Sequence, residues 1–179
     1  RRLAKACISA LGAIGDPSAA PDIAPLLFDP DVAIKIAAIR ALPTLPGSDM
    51  SDFLSLLNDP VALVRAEAAR AIGGRKWKPG VGPLTELLQR KAPDTPEVRT
   101  AAAEALGEIG DKSAVPILVT LMKDSDDKVR FTAARSLTPL AEASCYDALL
   151  DATHDRVAAV REAAGVGLAA IGDKRAVDR

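Results

Sequence analysis

Val98-Arg99-Thr100-Ala101-Ala102-Ala103-Glu104-Ala105-Leu106-Gly107-Glu108-Ile109-Gly110-Asp111 is the stretch that decides the fold. Val98, Ala102, Leu106 and Ile109 follow one another in steps of four and three, which places them on one face of a helix. Gly110 closes the stretch with the residue that best tolerates the left-handed stop of a helix C-terminus. The basic residue after the first aliphatic recurs as Lys35, Arg65, Arg99, Arg130 and Arg161, at intervals of 30, 34, 31 and 31 residues. One unit earlier, Ala4 holds the same slot.

Positions counted from that slot keep their chemistry. Three residues on stand Cys7, Ala38, Ala68, Ala102, Ala133 and Ala164; seven on stand Leu11, Leu42, Ile72, Leu106, Leu137 and Leu168. A second, shorter apolar segment precedes each long one: Ala19 to Phe28, Asp49 to Leu57, Pro83 to Gln89, Ala114 to Met122 and Cys145 to Thr153. Pro21, Pro83 and Pro116 fall in its first turn, where a missing N–H costs nothing. Pro43 and Pro139 lie late in their long segments and should shorten or kink them. The reading is therefore six long helices and five short ones in one array over residues 1–179, about 31 residues per repeat. No single pair can bury both its faces, so stacking must create the core. Cys7, in a slot that is otherwise alanine, reads as a buried packing residue.

Composition agrees. Hydrophobic residues make up 49% of the 179 but aromatics only 3%, so Ala, Leu, Ile and Val do the packing, as close helix contacts prefer. With 23 basic against 24 acidic residues there is no field to recruit nucleic acid or an anionic membrane. No apolar run approaches the roughly 18 residues of a membrane span. Cys7 and Cys145 are too far apart in sequence for a metal-ligand spacing and fit a reducing, cytoplasmic setting. The chain opens inside a long helix without an initiator Met, and Gly172 to Val177 repeats the start of a further unit. A fragment of a longer array is expected, with uncapped ends prone to self-association.

These residues resemble HEAT repeats of the short type described in phycobilisome lyase subunits. Asp124-x-x-x-x-Val129-Arg130-x-x-Ala133-Ala134-x-x-Leu137 carries the resemblance, with the Leu106-Gly107-x-Ile109-Gly110-Asp111 ending followed by Ala114-Val115-Pro116. The resemblance covers essentially the whole chain and implies an all-α, right-handed α-solenoid of antiparallel helix pairs. It is specific for the fold and poor for the function. Such repeats serve as protein-binding scaffolds, as bilin attachment lyases and as modules of larger proteins. It also implies that the long helices line the concave face. One and five residues after the basic slot, Ile36, Arg40, Arg70, Phe131 and Arg135 would then form a partner-binding strip, apolar anchors beside arginines. Three arginines there suit an acidic or amphipathic protein segment, with Glu104 and Glu162 opposing them. A surface row of ion pairs is the plainer reading of the same residues.

Other features carry less. Asp29, Asp59, Asp94, Asp124 and Asp155 precede the basic slots by five or six residues, as N-terminal caps or as partners of an Arg in the same or next unit. Trp77, within Gly73 to Gly80, either folds over its turn or adds a contact ridge to the partner site. His154 is the single histidine and supplies neither triad nor metal cluster. The repeated His-Glu pairs of the HEAT-fold deoxyhypusine hydroxylases do not occur here. Gly165 and Gly167 imitate a dinucleotide fingerprint but lie within a helix. The leading expectation is a non-catalytic protein-binding scaffold without a cofactor. The alternative is a subunit of a bilin lyase or similar cofactor-handling complex. DNA binding is a third reading, opposed by near-neutral charge and scarce aromatics.

Overall fold

The computed structural model describes residues 2–90 and 92–172. Its long helices are α1 (Arg2–Ile14), α3 (Val32–Ala41), α5 (Ala62–Gly74), α7 (Pro96–Ile109), α9 (Asp127–Leu137) and α11 (Ala158–Ile171). Between them lie the shorter α2 (Ala20–Ile23), α4 (Asp52–Leu56), α6 (Val81–Leu88), α8 (Val115–Leu121) and α10 (Tyr146–Ala152). Single 3-10 turns lead into α2, α6, α8 and α10, and another extends α2 to Phe28. Among the described residues there is no strand. The chain is an all-α solenoid of stacked antiparallel helix pairs.

Each long helix packs on the next, and α4, α6, α8 and α10 each pack on the long helix that follows. The repeat slots explain why. From the second unit on, the slots three and seven after the basic residue are buried: Ala38, Ala68, Ala102, Ala133 and Ala164, then Leu42, Ile72, Leu106, Leu137 and Leu168. The short helices add Ile23, Phe53, Leu84, Leu118 and Leu149 to the same continuous core.

Small residues set the spacing between long helices. A Cβ on Gly73 would stand 2.5 Å from the Cα of Ala105, and one on Gly107 would stand 2.6 Å from the Cβ of Ser136. Both glycines lie eight residues after a basic slot and meet the residue six after the next. The helices therefore approach backbone to side chain, which a larger residue would prevent. Gly110 ends α7 with φ of 73°, the left-handed stop expected there. The prolines act as expected too. α3 stops at Ala41 and α9 at Leu137, just ahead of Pro43 and Pro139.

One packing expectation fails. Cys7 is exposed, not buried. Among the described residues no short helix packs on α1 as one does on each later long helix, so the corresponding face is open here. Leu3, 78% exposed, and Ile14, 72% exposed, share that open face. α1 instead buries Ile8 and Gly12 against the rest of the array.

Candidate partner-binding surface

The basic slots form a ladder. Lys35 reaches Asp59 at 2.6 Å, and Arg65 grips Asp94 through two bonds of 2.6 and 2.7 Å. Arg99 grips Asp124 at 2.7 and 2.8 Å, and Arg130 grips Asp155 at 2.8 and 3.2 Å. Every rung joins the long helix of one unit to the turn of the next. Nη1 of each arginine also donates to its own turn: Arg65 to the Asp59 carbonyl, Arg99 to that of Asp94, Arg130 to that of Asp124 and Arg161 to that of Asp155. Burial pushes the carboxyls of Asp94 and Asp124 up, but the guanidinium and backbone N–H bonds outweigh it and hold both below the ordinary carboxylate range. The Arg130 hydrogen bond leads the lowering of Asp155.

These acids are not the helix caps. The side-chain caps of the long helices are Asp31, accepting from the Ala33 N–H, Asp126, accepting from Lys128 and Val129, and Thr95, accepting from Val98. The ladder acids brace the turn instead: Asp59 accepts from the Val61 N–H and Asp155 from that of Val157. With its oxygens and most of its N–H groups so engaged, the ladder is structural.

The long-helix strip differs from expectation at its anchors. Ile36 is buried at 9% exposure and Ala66, in the same slot one unit on, at 0%. In these two units the slot is closed off, although it is half-buried at Thr100 and Phe131 and exposed at Lys5 and Glu162, so Ile36 offers no contact surface. Phe131 is half-buried and packed against the core. The guanidinium of Arg135 sits over its ring, 5.7 Å from the centroid. Arg135 also pairs with Glu104 at 2.6 Å. Trp77 is half-buried against the core, its backbone N–H donating to the Ile72 carbonyl at 3.1 Å, and it folds over its own turn beside Gly80.

Arg40 and Arg70 do come together, around a residue the sequence reading passed over. Glu67 receives both Nε and Nη2 of Arg40 at 2.9 Å and Nη1 of Arg70 at 2.9 Å. It is only 8% exposed. The Arg40 hydrogen bonds, set against burial, hold its carboxyl below the ordinary value. Arg70 extends the network to Glu97 at 3.5 Å. The signal was there to be read: the slot holding Glu67 is Ala6, Ala37, Ala101, Thr132 and Ala163 in the other units.

Three grooves open on this long-helix layer. One of about 330 Å³ lies between α3 and α5, lined by Arg40, Pro43, Glu67, Arg70 and Arg75 among others. Another of about 330 Å³, between α7 and α9, gathers Lys76, Glu104, Glu108 and Arg135. Burial and the neighbouring Glu104 push the Glu108 carboxyl up. The widest, about 600 Å³, lies at the starts of α7 and α9, beside Arg70, Glu97, Asp127 and Lys128. His154 is exposed; its ring Nδ1 lies 3.2 Å from the Thr153 hydroxyl, and its backbone N–H donates to the Asp151 carbonyl. Both glycines lie inside α11; an added Cβ on Gly167 would meet Leu149 at 3.1 Å, so Gly167 serves packing, whereas one on Gly165 would meet nothing within 4 Å. Among the described residues no helix is long and apolar enough to cross a membrane.

A family model described as HEAT repeats matches residues 50–138 and 120–179, more than half of the chain. The chain belongs to the HEAT-repeat family. A second model, the PBS lyase HEAT-like repeat, matches residues 3–29 of the array. The array is 35% identical over 124 residues to Protein YibA of Escherichia coli, covering 66% of this chain and 44% of that protein. It thus spans less than half the length of that relative. It is 27% identical over 147 residues to the uncharacterized phycocyanin operon protein Z of Pseudanabaena tenuis, covering 76% and 71% of the two chains. In three dimensions it resembles the complex of CpcE and CpcF of phycocyanin lyase from Nostoc, with a TM-score of 0.68 at 23% identity over 97% of this chain and 73% of that one.

Proposed function

We propose that this HEAT array is a protein-binding subunit of a bilin-lyase-type complex, with no catalytic group of its own. The observation that carries the reading is the likeness to the phycocyanin operon protein across most of both chains. The match of residues 3–29 to the PBS lyase repeat and the fold shared with the CpcE–CpcF complex add support. They favour a lyase-complex subunit over a free-standing scaffold, which was the leading expectation from sequence. The partner surface is the long-helix layer, where Arg40, Arg70 and Arg135 stand beside grooves and suit an acidic segment.

The test mixes the purified protein with apo-phycocyanin, with a second lyase-type subunit, and with phycocyanobilin. Co-elution with either protein in gel filtration is expected. Elution alone from every mixture, with no change in bilin absorbance, would sink the reading.

Self-association belongs to the same proposal. The open face of α1, with exposed Leu3, Cys7, Leu11 and Ile14, is apolar. Light scattering should rise with concentration and fall when Leu3 and Ile14 become Glu. A strict monomer would remove this part. The matching expectation at Asp173 to Arg179 lies outside the described residues.

A further inference from the structure

The α3/α5 groove differs from its two neighbours in charge. It brings together the guanidiniums of Arg40, Arg70 and Arg75 with a single carboxylate, Glu67. The α7/α9 groove balances Lys76 and Arg135 against Glu104 and Glu108. The groove at the starts of α7 and α9 is acidic on balance. Of the three, only the first carries surplus positive charge beside apolar surface, which half-buried Pro43 and Ala71 supply.

Glu67 is what makes that surplus ordered. Five other units stack with Ala or Thr in its slot, so stacking does not require an acid there. Burying a carboxylate is costly unless charged hydrogen bonds offset it. Here the offset comes from Arg40 and Arg70, and the return is that both guanidiniums are fixed. Arg40 spends Nε and Nη2 on Glu67, which leaves Nη1 open on a side chain 64% exposed. Arg75 spends Nη1 on the Pro43 carbonyl at 3.0 Å and keeps its other N–H groups. Arg70 gives Nη1 to Glu67 and only a long contact to Glu97. Open donors on fixed guanidiniums are what planar, paired recognition of a carboxylate needs.

We infer that the α3/α5 groove is a clamp for an aspartate or glutamate side chain of a bound protein, with an apolar neighbour of that residue seated on Pro43 and Ala71, and that Glu67 is its positioning residue. The inference rests on the protein-binding reading above and names a site for it. An acidic protein segment is the occupant, because the groove holds one side-chain pair and the chain as a whole, at net charge −1, does not attract polyanions.

The probe is a short peptide alternating glutamate and leucine, titrated into the isotope-labelled protein. Saturable shifts are expected at the Arg40, Arg70 and Arg75 side chains and at the Ala71 and Gly74 amides, weakening with added salt. Arg75→Glu should lower the affinity by about tenfold or more with the melting temperature unchanged. Glu67→Ala should keep the fold, as alanine does in other units, yet lose binding because Arg40 and Arg70 are no longer held. A lysine–leucine peptide should not compete. The clamp is overturned by shifts elsewhere, by no saturable shift at the solubility limit, by equal binding of the lysine peptide, or by undiminished binding in both variants. Failure of the whole protein to co-elute with any partner counts against the broader reading. Co-elution that survives Arg75→Glu undiminished counts against the clamp alone.

Discussion

Arg130 shows how much one side chain of the ladder holds. It bonds both oxygens of Asp155 and the carbonyls of Asp124 and Ser125. Arg130→Ala would strand all of them at a site that is almost closed to water, so unfolding free energy should fall by about 2 to 3 kcal/mol. Urea denaturation reads this, and an unchanged midpoint would mean the rung is ornamental. Acid should act on the whole set. Asp94, Asp124, Asp155 and Glu67 have folded pKa values below their ordinary 3.8 and 4.5. Depressed carboxylates contribute stability above the unfolded value, and that contribution is lost as pH falls through the folded one. Urea midpoints should therefore hold down to about pH 5 and drop steadily below about pH 4. A flat profile to about pH 2 would contradict the assignment. Legibility at this scale was mixed. The acids were visible by their recurrence, but which unit's arginine each one meets depends on stacking. Glu67 was visible as the one acid in a row of small residues. The burial of Ile36 was not, because a helical wheel gives direction and says nothing of how near the next helix comes.

At the scale of helices, spacing is the controlling quantity, and α5 carries its own comparison. Gly73 faces the backbone of Ala105 on α7, whereas an added Cβ on Gly74 meets nothing within 4 Å. Gly73→Ala must push the two helices apart and should cost about 1 to 3 kcal/mol. Gly74→Ala adds helix propensity in open space and should be neutral or stabilising by up to about 1 kcal/mol. Thermal melts of the two variants read the difference, and equal effects would show that α5 and α7 do not meet as described. Helix number, order and C-terminal stops were legible because period, proline and glycine are local signals. The exposure of Cys7 was not, since its slot is buried only where a short helix packs on the long one.

For the molecule as a whole, contacts run between neighbours, so stability should vary along the array. α7 buries eight of its residues, α1 only Ile8 and Gly12. Amide hydrogen exchange should be slowest in α5, α7 and α9 and faster in α1 by about tenfold or more. Protection of α1 equal to that of α7 would show one global unfolding unit instead. The fold was legible at this scale because six copies of one pattern leave little choice of architecture. Function was not, because a binding face is made of the slots that the repeat leaves free to vary.

The ladder also bears on how such a chain can change length over generations. Each rung takes its base from one unit and its acid from the next, with the same turn carbonyls received each time. Excising one full period between equivalent positions, for example from after Arg65 through Arg99, brings Arg65 against Asp124, the same kind of partner it had in Asp94. The splice heals its own bonds. Insertions of whole periods do likewise, whereas a cut of any other length orphans a buried carboxylate. Gene duplication and deletion in this array are thus filtered by chemistry toward whole-number multiples of the repeat.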